Sequence, residues 1–126
     1  MQVQTRLKLY EQLSAKLDHP VFFPNHSKSD DHKRVPASSY YVVKIMPVTS
    51  NRTLLQIDCF TPLGVGDITN DSVVQNVIDR LGIGFEVALQ DGKLTTIKEP
   101  DLSPAFKYNA RFVKSLTIEL KEQRTC

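Results

Sequence analysis

The sequence has no apolar run that approaches the roughly 20 residues needed to span a bilayer. Its first segment, Met1 to Leu13, is amphipathic and lacks the continuous apolar stretch of a secretory signal. A large excess of charge of one sign is also missing, because the formal net charge is only +2. We therefore expect a protein that is intracellular when made, with no membrane partner and no specific nucleic-acid partner.

Cysteine is scarce, with only two residues of this type in the sequence, Cys59 and Cys126. Cys59 lies within an apolar, strand-like run, whereas Cys126 is the last residue given. A disulfide would tie a core strand to a terminus of the kind that usually frays, so we expect two free thiols.

The composition that is present suits one globular domain. The 126 residues are 40% apolar and 24% charged, which is ordinary for a folded protein and long enough for a real core. We expect a single domain over residues 1–126.

Two helices are predicted from periodicity. The first runs from Gln2 to Leu17, before Pro20, and the second from about Thr69 to Leu81, with Gly82 as its stop. The predicted apolar face of the first helix consists of Val3, Leu7, Tyr10, Ser14 and Leu17, with Leu13 beside them. The predicted capping residues of the second helix are Asn70, Asp71 and Ser72.

Strands are predicted around these helices. Residues 21–24 form a brief strand or an extended arm, and residues 40–48 and 52–60 form an antiparallel hairpin. A second hairpin joins residues 84–89 to 94–98 through a turn with Asp91-Gly92 at its centre, and a last strand covers about 110–121. The fold class is therefore α+β: a mostly antiparallel or mixed sheet of about five strands with two main helices packed on one face.

Both faces of the first hairpin carry apolar residues. Tyr40 and Met46 lie opposite the face of Tyr41, Val43 and Ile45, and Leu54 and Phe60 share the face of Gln56 and Asp58. A neighbouring subunit could cover this second face, or loops could cover it within the monomer.

Residues Asn25 to Ser39 are polar, charged at both signs and almost free of large apolar side chains. We expect a mobile loop, either a solvated insertion or a segment that becomes ordered on a partner. The candidate partner-contact residues in it are Lys28, Asp30, Asp31, Lys33 and Arg34.

Catalytic chemistry is weakly indicated. His19, His26 and His32 fall around the polar loop, where rigid metal ligands are not expected. The turn Gly64-Val65-Gly66 lacks the pattern of a phosphate-binding loop. The alternating pattern predicts that Asp58 faces solvent from its strand. We expect no catalytic residue, no metal and no cofactor.

The stretch Leu54 to Gly66, LLQIDCFTPLGVG, resembles the strand–turn–helix segment of phage tail terminators and related tail-completion proteins, like minor tail protein U of lambda-like siphophages. The wider order is similar too: an N-terminal helix, a short Phe22-Phe23-Pro24-Asn25 stretch, two strands, a helix and a closing strand. Cys59 stands where the pattern often has Val.

The resemblance implies a structural virion protein assembled in the host bacterial cytoplasm. Such proteins form a ring of six that caps the tail tube, ends its polymerisation and offers a surface for head–tail joining. The implied partners are other copies, the tail tube protein and the head connector protein, without catalytic residues. The alternatives are a head–tail connector or neck protein, a small enzyme or ligand-binding module using Asp58 and the Gly64–Gly66 turn, and a nucleic-acid binder with salt-sensitive affinity.

Overall fold

The computed structural model describes residues 3–23, 39–62, 66–108 and 111–124. Within these residues there are two helices and eight strands in one sheet. The elements are α1 Val3–Lys16, β1 Val21–Phe22, β2 Tyr40–Pro47, β3 Arg52–Pro62, α2 Gly66–Leu81, β4 Glu86–Leu89, β5 Gly92–Thr96, β6 Asp101–Leu102, β7 Phe106–Tyr108 and β8 Arg111–Arg124.

The predicted α+β class is confirmed, and the five expected strands are β2, β3, β4, β5 and β8. Residues 21–24, predicted as a brief strand or an extended arm, contain the two-residue strand β1. The other two strands, β6 and β7, have two or three residues each, which is too short for an alternating pattern to identify. The sheet is mixed, because β1 runs parallel to β2 while every other pair is antiparallel.

The sheet order is β1-β2-β3-β8-β5-β4, and β6 and β7 pair with β8. The pairing of β3 with β8 is the longest, since Arg52 to Pro62 face Lys121 to Arg111 without a break. The opposite side of β8 is shared in turn by β7, β6 and β5. This arrangement makes β3 and β8 the centre of the fold.

Both helices pack on one face of this sheet, which we call the inner face. The core between the helices and the inner face excludes water almost completely and stabilises the fold through buried apolar area. It contains Leu9 and Leu13 of α1 and Leu17 just after it; Val73, Val74, Val77 and Leu81 of α2; and Tyr41, Val43, Ile45, Leu55, Ile57, Cys59, Val87, Leu94, Leu116, Ile118 and Leu120 of the sheet.

The predicted apolar face of α1 was partly wrong. Leu7 is 43% exposed and Ser14 is exposed, whereas Leu9, which the prediction omitted, is fully buried. The leucines at positions 7, 9, 13 and 17 are compatible with two overlapping apolar faces. In the structure the buried face is that of Leu9, Leu13 and Leu17, because residues spaced by four lie on the same side of a helix. Tyr10 is buried as predicted and packs on Phe23, with ring centroids 4.2 Å apart.

Helix α2 begins at Gly66, earlier than predicted. Asn70 is therefore an internal helix residue rather than a cap, and it is only 1% exposed. Its side-chain amide donates hydrogen bonds to the Cys59 carbonyl at 3.3 Å and to Thr61 Oγ1 at 3.0 Å. The side chain thus ties α2 to the end of β3 instead of satisfying the start of the helix.

Gly82 ends α2 as predicted, because its N–H donates to the Ile78 carbonyl at 2.9 Å. A Cβ at this position would lie 2.6 Å from the same carbonyl oxygen, so the position requires glycine. In the last turn of α2, Arg80 connects this helix to the end of α1. Its guanidinium lies 3.0 Å from the Asp18 carboxylate and donates to the Lys16 carbonyl at 2.6 Å.

The second hairpin turns one residue earlier than predicted. Leu89 pairs with Gly92, so Gln90 and Asp91 form the turn and Gly92 already belongs to β5. A Cβ on Gly92 would collide with the backbone of β8 at Gln123. Glycine is needed here for close approach between strands rather than for turn geometry. No helix among the described residues is long and apolar enough to cross a membrane.

Candidate functional site

The sheet face opposite the helices, which we call the outer face, is the candidate site. Register places its residues in rows across β2, β3 and β8, and strand alternation keeps each row on that side. The rows are Tyr40–Phe60–Val113–Phe106, Val42–Asp58–Ser115, Lys44–Gln56–Thr117–Asp101 and Met46–Leu54–Glu119.

The first row, together with Phe22 and Arg111, forms an aromatic cluster at one end of the outer face. The rings of Tyr40 and Phe60 are stacked with centroids 4.7 Å apart, and Phe22 meets Tyr40 edge-on at 5.7 Å. The Arg111 guanidinium lies 4.8 Å from the centre of the Tyr40 ring. Tyr40 and Val113 are buried here although neither belongs to the core under the helices.

The prediction that the first hairpin is apolar on both sides is confirmed. Tyr40 pairs with Phe60, and Met46 pairs with Leu54, both away from the helices. Leu54, Phe60 and Met46 are half-buried, so part of their apolar surface remains in contact with water. The outer face therefore has apolar groups at both ends.

A polar network occupies the middle of the outer face. Ser115 Oγ donates to the Asp58 carboxylate at 2.6 Å, and the Gln56 amide donates to the same carboxylate at 3.1 Å. The Ser115 N–H donates to Ser103 Oγ at 3.0 Å, and the Ser103 N–H donates to the Ser115 carbonyl at 2.9 Å. The network holds β3, β8 and the β6–β7 connection together.

Asp58 lies on the outer face, in agreement with the surface position predicted for it, and is half-buried there. Helix α2, which begins at Gly66, packs on the inner face. The Asp58 carboxylate and the core residues of α2, Val73, Val74 and Val77, are therefore on opposite sides of the sheet. Gly64 and Val65 lie outside the described residues.

The margins of the outer face carry exposed side chains. Lys44 is exposed on β2, and Asp101 and Phe106 are exposed on β6 and β7. Of the exposed large apolar residues, three fall in the short segment 97–106: Ile97 at 36%, Leu102 at 49% and Phe106 at 51%. This concentration singles out the β6–β7 edge as a surface suited to a partner.

The predicted loop-contact residues, Lys28, Asp30, Asp31, Lys33 and Arg34, lie outside the described residues and remain predictions. His26 and His32 lie there too, whereas the His19 ring is 5.8 Å from the Tyr41 ring. Across residues 3–23, 39–62, 66–108 and 111–124 no group of three or more His, Cys, Asp or Glu side chains is placed to hold a metal ion.

Sequence reasoning missed Phe22, Phe106 and Arg111 as members of the outer face. Phe106 lies on β7, whose three residues are too few for an alternating pattern to identify a strand. Arg111 gave no signal either, because its contact with Tyr40 joins residues far apart in sequence.

The Cys59 thiol and the Tyr41 phenol are titratable groups buried on the inner face. Burial, together with the nearby Asp58 carboxylate, raises the pKa of the Cys59 thiol. Burial likewise raises the pKa of the Tyr41 phenol. Cys59 is free and fully buried, so its thiol is neutral and packs as a small apolar side chain. Cys126 lies outside the described residues.

Comparison with known proteins places the fold but gives no function. No family model and no curated protein matches the chain. Among solved structures five chains match, and one of them, whose name describes no activity, superposes with a TM-score of 0.74 at 12% identity. The match covers 96% of this chain and 97% of that chain. At this identity the likeness shows a shared α+β fold alone.

Proposed function

We propose that this chain is a structural virion protein that forms a ring on the phage tail tube, ends tube polymerisation and provides the surface for head–tail joining. The observation that carries the proposal is the outer face, where an aromatic cluster and an apolar edge segment lie away from the core. Surfaces of this kind suit contacts with other protein subunits.

The arrangement of the tail-terminator-like stretch supports the proposal. Leu54 to Pro62 lie on β3, and Gly66 begins α2, so the strand and the helix follow each other as the resemblance expects. The surrounding order also agrees with it: α1, then β1 and β2 before this segment, and β8 as the closing strand.

The proposed partners are other copies of the chain, the tail tube protein and the head connector protein, and the proposed location is the virion tail. The charged segment 25–39, with Lys28, Asp30, Asp31, Lys33 and Arg34, is the proposed contact with the tube or connector. Its mixed charge suits specific orientation on a partner more than affinity. The proposal assigns no catalytic residue, metal or cofactor.

A tube-capping assay tests the proposal. Tail tube subunits from the phage or prophage that encodes this chain are allowed to polymerise with increasing amounts of the purified protein. We expect shorter tubes, each ending in added ring density in electron micrographs. Unchanged tube lengths together with bare tube ends would contradict the proposal.

The same assay separates the terminator from the head–tail connector alternative. A connector would leave tube length unchanged and would instead bind purified, DNA-filled heads. The mass of the protein in solution, measured by native mass spectrometry over a range of concentration and salt, adds an independent criterion. A closed ring of six supports the terminator, and retention on DNA that falls steeply with salt would favour a nucleic-acid binder instead.

A further inference from the structure

The two margins of the outer face carry opposite charges. One register row crosses the sheet from Lys44 on β2, through Gln56 and Thr117, to Asp101 on β6. Lys44 is exposed, and none of the ion pairs formed among the described residues includes it. At the far end, the Asp101 side chain is 70% exposed and Glu99 beside it is also exposed.

The far margin stays negative in spite of a neighbouring cation. Lys98 Nζ lies 3.4 Å from the Asp101 carboxylate, but both side chains are largely exposed and such a pair is weak. Lys98 also has to balance two carboxylates, those of Glu99 and Asp101. The row therefore has a positive end and a negative end, separated by three strand spacings, or roughly 14 Å.

Apolar side chains accompany the charges at both ends. Met46 lies two residues after Lys44 on the outer face and is half-buried. Phe106, which follows Asp101 by five residues and pairs with Val113 on the outer face, is 51% exposed, whereas the exposed Leu102 pairs with Leu116 of the inner face. Each margin thus combines charge with apolar surface, so it offers both orientation and area to bury.

We infer that the negative margin, Glu99 to Phe106, of one copy contacts the positive margin, Lys44 and Met46, of the next copy. This contact rests on the proposed ring and gives it a defined subunit surface. Complementary patches on opposite sides of one sheet make a heterologous, head-to-tail contact, and such contacts generate rings when the rotation closes. A twofold contact would instead use the same patch on both copies.

Cross-linking tests the direction of the contact. The variants Met46→Cys and Phe106→Cys, which keep Lys44 and Asp101 in place, are made singly and together in the full chain carrying Cys126→Ser, and Cys59 does not interfere because it is fully buried. A thiol cross-linker with a flexible spacer is added to the concentrated protein. Circular dichroism and thermal melting check that each variant is folded.

The double variant should give a ladder of cross-linked species that stops at a closed ring. Each single variant should give no cross-linked species, and an equal mixture of the two single variants should stop at dimers. A folded double variant without a ladder would overturn the inference. So would a single variant that cross-links efficiently by itself, because that result requires a twofold contact.

Charge reversal provides the second readout, measured as the concentration at which half of the protein is assembled. Lys44→Glu and Asp101→Lys should each raise that concentration several-fold, and the two changes together should restore it. Lys8→Glu, an exposed position on α1, is the matched control and should have no effect. Reversals that leave the concentration unchanged would overturn the contact even if the protein caps tubes. Conversely, failure to cap tubes with an intact ladder would overturn the proposed function alone.

Discussion

Tyr40 and Phe60 lie directly opposite each other on β2 and β3, and their rings are stacked with planes only 4° apart. The pair lies on the face of the sheet opposite the helices. Offset stacking of two aromatic rings stabilises a protein beyond the area that the rings bury. The aromatic end of the outer face is therefore part of the stable fold as well as a candidate contact surface.

Replacing Phe60 by leucine removes the ring stacking but keeps an apolar side chain. We expect Phe60→Leu to lower the free energy of unfolding by about 1–2 kcal/mol. The matched control is Phe106→Leu, on the same row but 51% exposed, which should change it by about 0.5 kcal/mol or less. Urea unfolding followed by circular dichroism measures both values, and equal effects would argue against the stacking.

Asn70 offers a second test, because it is buried within α2 and donates to both Cys59 and Thr61. Asn70→Ala leaves the Cys59 carbonyl without that donor, so we expect a loss of about 1–3 kcal/mol in unfolding free energy. Gln75→Ala on the exposed side of the same helix removes only a hydrogen bond to Asp79 and should cost no more than about 0.5 kcal/mol. A similar cost at both positions, measured by chemical denaturation, would show that Asn70 does not anchor the helix.

The buried thiol predicts how stability depends on pH. The pKa of Cys59 is raised from 9.0 and that of Tyr41 from 10.0, so the folded protein holds both protons more tightly than the unfolded chain. The stability that these protonated groups contribute is therefore fully present below a pH of about 9, the pKa of the thiol in the unfolded chain. The free energy of unfolding falls as the pH rises above that value. Each group lowers the free energy of unfolding by at most about 1.4 kcal/mol per pH unit.

The variant Cys59→Val separates the contribution of the thiol to this pH dependence from the contributions of other groups. The unfolding free energies of wild type and variant should run parallel up to about pH 8.5 and diverge above it, with the variant falling less steeply. Tyr41 remains in both proteins, so a later fall above about pH 10 should persist. Curves that stay parallel to about pH 10.5 would contradict a raised thiol pKa in the folded state.

Asp58 distinguishes the structural proposal from a catalytic one. Asp58→Asn keeps an oxygen that can accept the hydrogen bond from Ser115, so we expect a stability change of no more than about 1 kcal/mol and normal tube capping. Ser115→Ala removes the donor and should have a comparable, modest effect. An activity that disappears in Asp58→Asn while folding and assembly stay intact would favour the enzyme alternative.

The sequence predicted most of the elements but not their details. Periodicity located α1, α2 and the two hairpins, because alternation and helical spacing are local properties of the chain. It misplaced the buried side of α1, since Leu7 and Leu9 both fit an apolar stripe. It also missed β6 and β7, which have too few residues to show alternation and exist because β8 offers them partners.

By itself, the sequence determined the α+β class, the doubly apolar hairpin and the glycine that ends α2, since each depends on residues close together in the chain. Only the tertiary structure decided that Asn70 anchors a strand, that Arg111 covers Tyr40, and that Lys44 and Asp101 end the same row. These relationships join residues far apart in sequence. They are fixed by strand register and helix packing, which local patterns do not specify.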